Sequence, residues 1–425
     1  MVNKDKNIYT EADIASFFKK KEYKKMQKAA NSLLKRSPNN LDALNALGLA
    51  HRYLGDTLKS QEIFIKLINL NPKKDYMYSN AGNLFFSLGN IDKAIVCHQK
   101  SLELNPNNYN SLNLIGLSLS NKGKNEEAVE YFKRSIAINN KIDSSYDHLG
   151  DTLRVLKRYR EASEAYDSSI RVISKCNQLE CLYLLGDKDL FYEKLIEFKK
   201  YDIPHPLAAT LCAHAAIRYN TINDYSFCKE PFDYIKKYEL LRSSVISESD
   251  IKDFIVAFDS LSVSRKTQPL LKNGYQSSGN IFLSNIPEIR KMKKLIEGQI
   301  NLYRENSSKK AAFISRWPKN YELHGWLIVM SDGGRLSGHM HKEGWLSGSL
   351  YLERPKKNNT NDGDIAFSLH GSNYPQDGKD FEVKKVSIEK GDMVLFPSSL
   401  FHATFPFSSE SNRVTLAFDI IPKQL

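Results

Sequence analysis

At 425 residues the chain exceeds one ordinary hydrophobic core, so two or three domains are expected. Hydrophobic residues at 41% and charged residues at 26% describe globular protein, and no apolar run approaches the roughly 20 residues of a membrane-spanning helix. The net charge of +12 is unevenly placed: residues 1–40 hold ten Lys/Arg against four Asp/Glu, whereas residues 331–425 hold eleven against twelve. A lysine-rich helix face accounts for the basic end, and no basic groove with interleaved aromatic residues accompanies it, so neither nucleic acid nor membrane is an expected partner. The start, MVNKDKNIYT, lacks the apolar stretch of a secretory signal. Cys97, Cys176, Cys181, Cys212 and Cys228 contain no C-x-x-C pair, which argues for buried free thiols and a cytoplasmic protein.

In chain order, a first helical pair (IASFFKK to AANSLLKRSP) leads into a repeat of 34 residues. Gly48, Gly82, Gly116 and Gly150 keep that spacing, as do Gly55, Gly89 and Gly123, with Lys157 in the fourth slot. Pro38, Pro72 and Pro106 follow the same register, as do Ala94, Ala128 and Ala162. The first glycine of each repeat lies within a helical pattern, where a missing side chain lets a partner helix approach. The second ends that helix in a left-handed cap, and the proline closes the next one. This pattern resembles the tetratricopeptide repeat through about residue 173, with degenerate helices following to about residue 200. The resemblance implies a solenoid over residues 1–200 whose concave face binds a protein or peptide partner. Asn80, Asn83, Asn113 and Lys133 are candidate groove residues, although exposed polar side chains need no ligand.

Residues 201–249 read as a helical connector. Residues 250–425 change period. After a helix-like stretch and EIRKMKKLIEGQINLYREN, short β-branched and aromatic runs follow: HGWLIVM, WLSGSLYLERP, DIAFSLH, FEVKKVSI, DMVLFPS and RVTLAFDIIP. Their spacing predicts an antiparallel jelly roll, so the fold class is multidomain α + β.

Three placements in that region carry chemistry. His339 and His341 follow the run HGWLIVM, and i, i+2 residues of an extended chain share a side. His402 lies late in KGDMVLFPSSLFHATFPF, and Arg413 comes eleven residues later with Thr415 two beyond. An H-x-H triplet or a lone histidine means little by itself. The conjunction is the layout of a non-heme iron site, with Arg413 as a planar fork for a carboxylate and Thr415 as a hydrogen-bond donor. The order HMHKEGWLSGSLYLERP, then KGDMVLFPSSLFHATFPF, then Arg413 resembles the 2-oxoglutarate- and Fe(II)-dependent oxygenases with a double-stranded β-helix core, in the bacterial and phage branch fused to tetratricopeptide repeats. The resemblance implies Fe(II) as cofactor, 2-oxoglutarate as co-substrate, and hydroxylation as the reaction. His341 and His402 belong to any ligand set. The third ligand is open between His339, favoured by family register, and Glu343, which creates an alternative His341-x-Glu343 pair. Trp326, Trp345 and Tyr351 either shape the pocket or form plain core. The rival readings are a cupin-like metal binder without oxidative turnover, and a repeat scaffold whose barrel is degenerate.

Overall fold

A computed structural model of the protein describes residues 9–261, 263–356, 362–371 and 374–423. It divides into two compact units, Met1–Cys181 and Leu182–Leu425. The first unit is a run of helices: α1 (Glu11–Lys19), α2 (Tyr23–Arg36), α3 (Leu41–Tyr53), α4 (Thr57–Asn69), α5 (Asp75–Ser87), α6 (Ile91–Leu104), α7 (Tyr109–Asn121), α8 (Asn125–Ile138), α9 (Asp143–Val155) and α10 (Tyr159–Asp167). The next helix, α11 (Val172–Leu185), runs across the division. Side chains of Asn40, Asp56, Asn90 and Asn108 accept hydrogen bonds from otherwise unpaired backbone N–H groups at helix starts.

The glycine rows have separate physical roles. A Cβ added at Gly48, Gly82, Gly116 or Gly150 would stand 2.9 Å from Phe64, 2.6 Å from His98, 2.7 Å from Phe132 or 2.7 Å from Tyr166, respectively. Each glycine thus receives a ring from the following helix, which seats the two helices of a repeat against each other. The second row turns the chain in the left-handed region, at φ +84°, +73° and +76° for Gly55, Gly89 and Gly123. Lys157 adopts the same conformation at φ 60° despite its Cβ.

The second unit contains α12 (Lys188–Lys199), α13 (Pro206–Arg218), α14 (Glu248–Asp259), α15 (Pro287–Glu305) and α16 (Ala312–Ser315) around one antiparallel sheet. Its strands are β1 (Lys236–Glu239), β2 (Arg265–Lys266), β3 (Leu271–Ser277), β4 (Tyr321–His339), β5 (Leu346–Glu353), β6 (Ile365–Ser368), β7 (Val383–Val386), β8 (Asp392–Pro397), β9 (Phe401–Thr404) and β10 (Arg413–Pro422). They run in the order β1-β8-β5-β10-β4-β9-β6-β7, with β3 also on β4 and β2 on β3. The curl comes from β4. Its first half pairs with β10 from Tyr321 to Met330, and its end pairs with β9 at Leu336 and His339 across a register shift. The sheet thereby folds over two apolar clusters, one around Tyr351, Phe367 and Phe396 and one around Ile328, Met330 and Leu336.

Strand β1 departs from the helical connector expected over residues 201–249, which supplies α13 and then this edge strand on β8. Its sequence, KKYE, is too short and too charged to show a strand period, although lysines are what an exposed sheet edge tolerates. Among the described residues no helix is long and apolar enough to cross a membrane. All five cysteines are buried.

Two substitutions test the repeat geometry by urea unfolding. Gly116→Ala forces a methyl into the Phe132 ring and should destabilise the first unit by roughly 1–3 kcal/mol. Lys157→Gly removes a left-handed residue with a Cβ and should stabilise it by roughly 1 kcal/mol.

Candidate metal centre

The bend in β4 delivers the first histidine. His339 ends that strand directly opposite His402 of β9, and their ring centroids are 4.3 Å apart. His341 lies two residues past the strand, with its ring 5.0 Å from His402 and 5.2 Å from His339. One nitrogen from each of the three lies within 4.8 Å of the others, close enough to converge on one ion.

Each ring is oriented through its Nδ1. His339 Nδ1 bonds the Ser337 carbonyl at 2.9 Å, His402 Nδ1 the Leu400 carbonyl at 3.4 Å, and His341 Nδ1 the Asp419 carboxylate at 2.7 Å. With Nδ1–H donating, Nε2 carries the lone pair a metal needs. Burial, and next the neighbouring His341, pushes His339 down to about 4. Burial above all, helped by His339 and His341, holds His402 well below its ordinary value. Both rings are therefore neutral at pH 7. Burial lowers His341 as well, but the Asp419 carboxylate outweighs it and raises that ring above the ordinary value.

Asp419 is a site residue that the motif search missed. It also accepts a hydrogen bond from Ser347 Oγ at 2.7 Å, and Ser347 Oγ lies 2.7 Å from Ser398 Oγ. The signal was available: Arg413, Thr415, Ala417 and Asp419 alternate along β10, and all four line one cavity. Glu343, by contrast, is exposed in the turn after His341 and lies outside the histidine cluster.

That cavity, of about 340 Å³, runs from the histidines to Arg413 and Thr415. Arg413 and Asp419 are separated by roughly 20 Å of strand. The Arg413 side chain is buried, packs 5.0 Å from the Tyr351 ring, and donates from Nη1 to Met330 Sδ at 3.4 Å. Among the described residues no carboxylate lies within 4.0 Å of it, the limit for an ion pair. Arg413 Nε, Thr415 Oγ1 and the Tyr351 hydroxyl are all buried without a hydrogen-bond partner. A buried cation beside two orphaned hydroxyls fits an anion with oxygen acceptors, and a carboxylate meets that need.

Of the three aromatic candidates, Trp326 and Tyr351 line the cavity, with Trp326 5.7 Å from the His341 ring. Trp345 is core: its Nε1–H donates to the Phe313 carbonyl at 2.9 Å, and Phe227 packs 5.0 Å away. In the repeat unit, Asn80 donates to Asn45 at 3.0 Å, and His148 bonds Asn113 at 3.2 Å. Asn83 Oδ1 is buried without a partner. Lys133 is on a different helix from these asparagines, α8, 4.0 Å from Glu130.

Asp419→Asn keeps the shape but removes the charge that orients His341. Metal affinity should fall roughly 10–100-fold, read by Co(II) titration under anaerobic conditions.

Comparison with known proteins agrees with this geometry. Residues 324–419 match the family described as "Putative 2OG-Fe(II) oxygenase", and residues 41–74, 76–108 and 99–130 match three tetratricopeptide-repeat models. No curated protein sequence matches the chain. Solved structures similar to it include one from work on Pseudomonas aeruginosa PilF, 17% identical, covering 45% of this chain and 89% of that one at a TM-score of 0.40. MamA is 21% identical, covering 36% of this chain and 91% of its own at 0.34. YrrB, described as a TPR protein with an unusual peptide-binding site, is 17% identical, covering 37% and 81% at 0.33. The chain thus joins tetratricopeptide repeats to a domain that matches the 2OG-Fe(II) oxygenase family over residues 324–419.

Proposed function

We propose that the protein is an Fe(II)- and 2-oxoglutarate-dependent dioxygenase, a hydroxylase whose repeats recruit a protein or peptide substrate. The observation that carries this reading is one cavity lined both by three convergent imidazoles, with His339 and His402 held neutral by burial, and by a buried, unpaired Arg413 with orphaned hydroxyls beside it. In this reading His339, His341 and His402 hold the iron. Arg413 offers its planar fork to the distal carboxylate of 2-oxoglutarate, and Thr415 and Tyr351 donate to the same group.

Fe(II) with 2-oxoglutarate supplies oxidation of a substrate C–H bond by dioxygen, with release of succinate and CO₂. The chain's own groups set the conditions for it. Asp419 fixes the tautomer and direction of His341. The apolar walls from Ile328, Ile365 and Phe396 limit water in the cavity, and Trp326 forms the wall beside His341. One observation favours the cupin-like alternative: the ligand set is all imidazole, without the carboxylate of the usual facial triad. That alternative gives Arg413 no task. The reading divides the chain into a solenoid over 1–200, a connector over 201–249 and a catalytic region over 250–425. A cytoplasmic setting is supported by five buried cysteines with no C-x-x-C pair among them.

The test is anaerobic purification followed by Fe(II), 2-oxoglutarate and oxygen, with succinate measured in the absence of substrate. Succinate should form. Iron binding without succinate supports the cupin-like alternative, and no iron binding overturns both readings. His341→Ala and His402→Ala should each abolish iron binding. His339→Ala should weaken it strongly, whereas Glu343→Ala should leave it unchanged. Arg413→Ala should keep iron but weaken 2-oxoglutarate roughly 30-fold or more, the loss expected of one partner in a buried charged hydrogen bond. Since Arg413 is unpaired without its anion, 2-oxoglutarate alone should raise the melting temperature of metal-free protein.

A further inference from the structure

Arg413 has a like-charged neighbour across the sheet. Glu353, the last residue of β5, pairs with Val414 of β10, so Arg354 leaves the strand beside the start of β10, where Arg413 lies. The Arg354 side chain is only 3% exposed, as buried as Arg413. Like charges held close together are normally destabilising, and burial makes this worse. Burial above all holds Arg413 below its ordinary value, and the charge of Arg354 adds to that against the opposing influence of Tyr351.

One turn lies against both arginines. Arg354 Nη2 donates to the Asp362 carbonyl at 2.7 Å and to Asp364 Oδ1 at 3.0 Å. A Cβ built on Gly363, between those residues, would stand 3.8 Å from Arg413 Cδ. Asp364 is itself fixed, since its Oδ1 accepts from Ile388 N–H at 3.2 Å. Glu389 also lies near Arg354, 3.7 Å from Nη1, but is 68% exposed, so solvent screens it. Of the two buried guanidiniums only Arg354 is paired with the buried Asp364, and Arg413 keeps its positive charge uncompensated at the cavity end.

We propose that Arg354 is a positioning residue for the co-substrate: paired with Asp364, it supports the turn beneath Arg413, and its charge strengthens the hold on a carboxylate bound there. This rests on the reading of the cavity as a 2-oxoglutarate site. Arg354 touches no ligand in this account and acts through Arg413 and the field at that end.

The test measures binding of 2-oxoglutarate and of 2-oxovalerate, which lacks the distal carboxylate, to Co(II)-loaded full-length protein. Arg354→Gln should weaken 2-oxoglutarate roughly tenfold and leave 2-oxovalerate unchanged. Arg354→Lys, which keeps the charge, should recover most of the loss. Asp364→Asn keeps an acceptor for Arg354 but removes its countercharge and should tighten 2-oxoglutarate, which also decides the matter should Arg354→Gln fail to fold. Wild-type affinity in Arg354→Gln, equal losses in the Gln and Lys variants, a loss extending to 2-oxovalerate, or no tightening in Asp364→Asn would each overturn the proposal. A wild-type protein that binds the two ligands equally would instead overturn the 2-oxoglutarate reading itself.

Discussion

The alignment of His339 with His402 across β4 and β9 is the constraint on which the candidate site depends. A strand's side chains alternate between faces, so a slip of one residue would send either imidazole away from the cavity. The register shift within the β4–β9 pairing, between Leu336 and His339, sets that alignment. The same strand, in its first half, holds β10 in a register that faces Arg413, Thr415 and Asp419 into the cavity. One long bent strand therefore coordinates both ends of the site, which accounts for its 19-residue length in a sheet otherwise made of short strands.

The cavity also shows how buried charge is distributed. At one end Asp419 is balanced by His341 and serine hydroxyls. At the other, Asp364 pairs with Arg354 while Arg413 has no carboxylate within ion-pair distance, and several polar atoms lack partners. A protein interior rarely leaves so many donors unmatched in one place. The imbalance falls where a small anion would complete the hydrogen bonding.

Legibility in the sequence followed from how local each feature is. The repeats were readable because the same packing problem, a ring against a glycine, recurs at a fixed spacing, and Phe64, His98, Phe132 and Tyr166 solve it four times. The ligand and carboxylate-binding candidates were readable because they sit in ordered short motifs. Asp419 escaped because its role exists only once β10 lies beside the turn carrying His341, although simple alternation from Arg413 pointed to it. Arg354 escaped for a similar reason: its significance lies in the turn at Asp362–Asp364 that it holds against Arg413, which no single stretch encodes. Strand β1 escaped because four residues at an exposed edge carry too little pattern, and its identity comes from its partner β8.

The four rings that fill the glycine rows are not equivalent. Three are carbocyclic, but His98 is an imidazole, fully buried, and burial pushes it down to about 4. Its Nδ1 bonds Ser111, and its Nε2 faces Gly82 with no acceptor. A proton on that nitrogen would point into helix backbone with nothing to receive it. The unfolded chain takes up this proton near pH 6.5, so the folded form loses ground as pH falls through that value and reaches its full penalty only below about 4. Acidification thus weakens the joint between α5 and α6 through His98, and burial lowers His148 of α9 in the same direction.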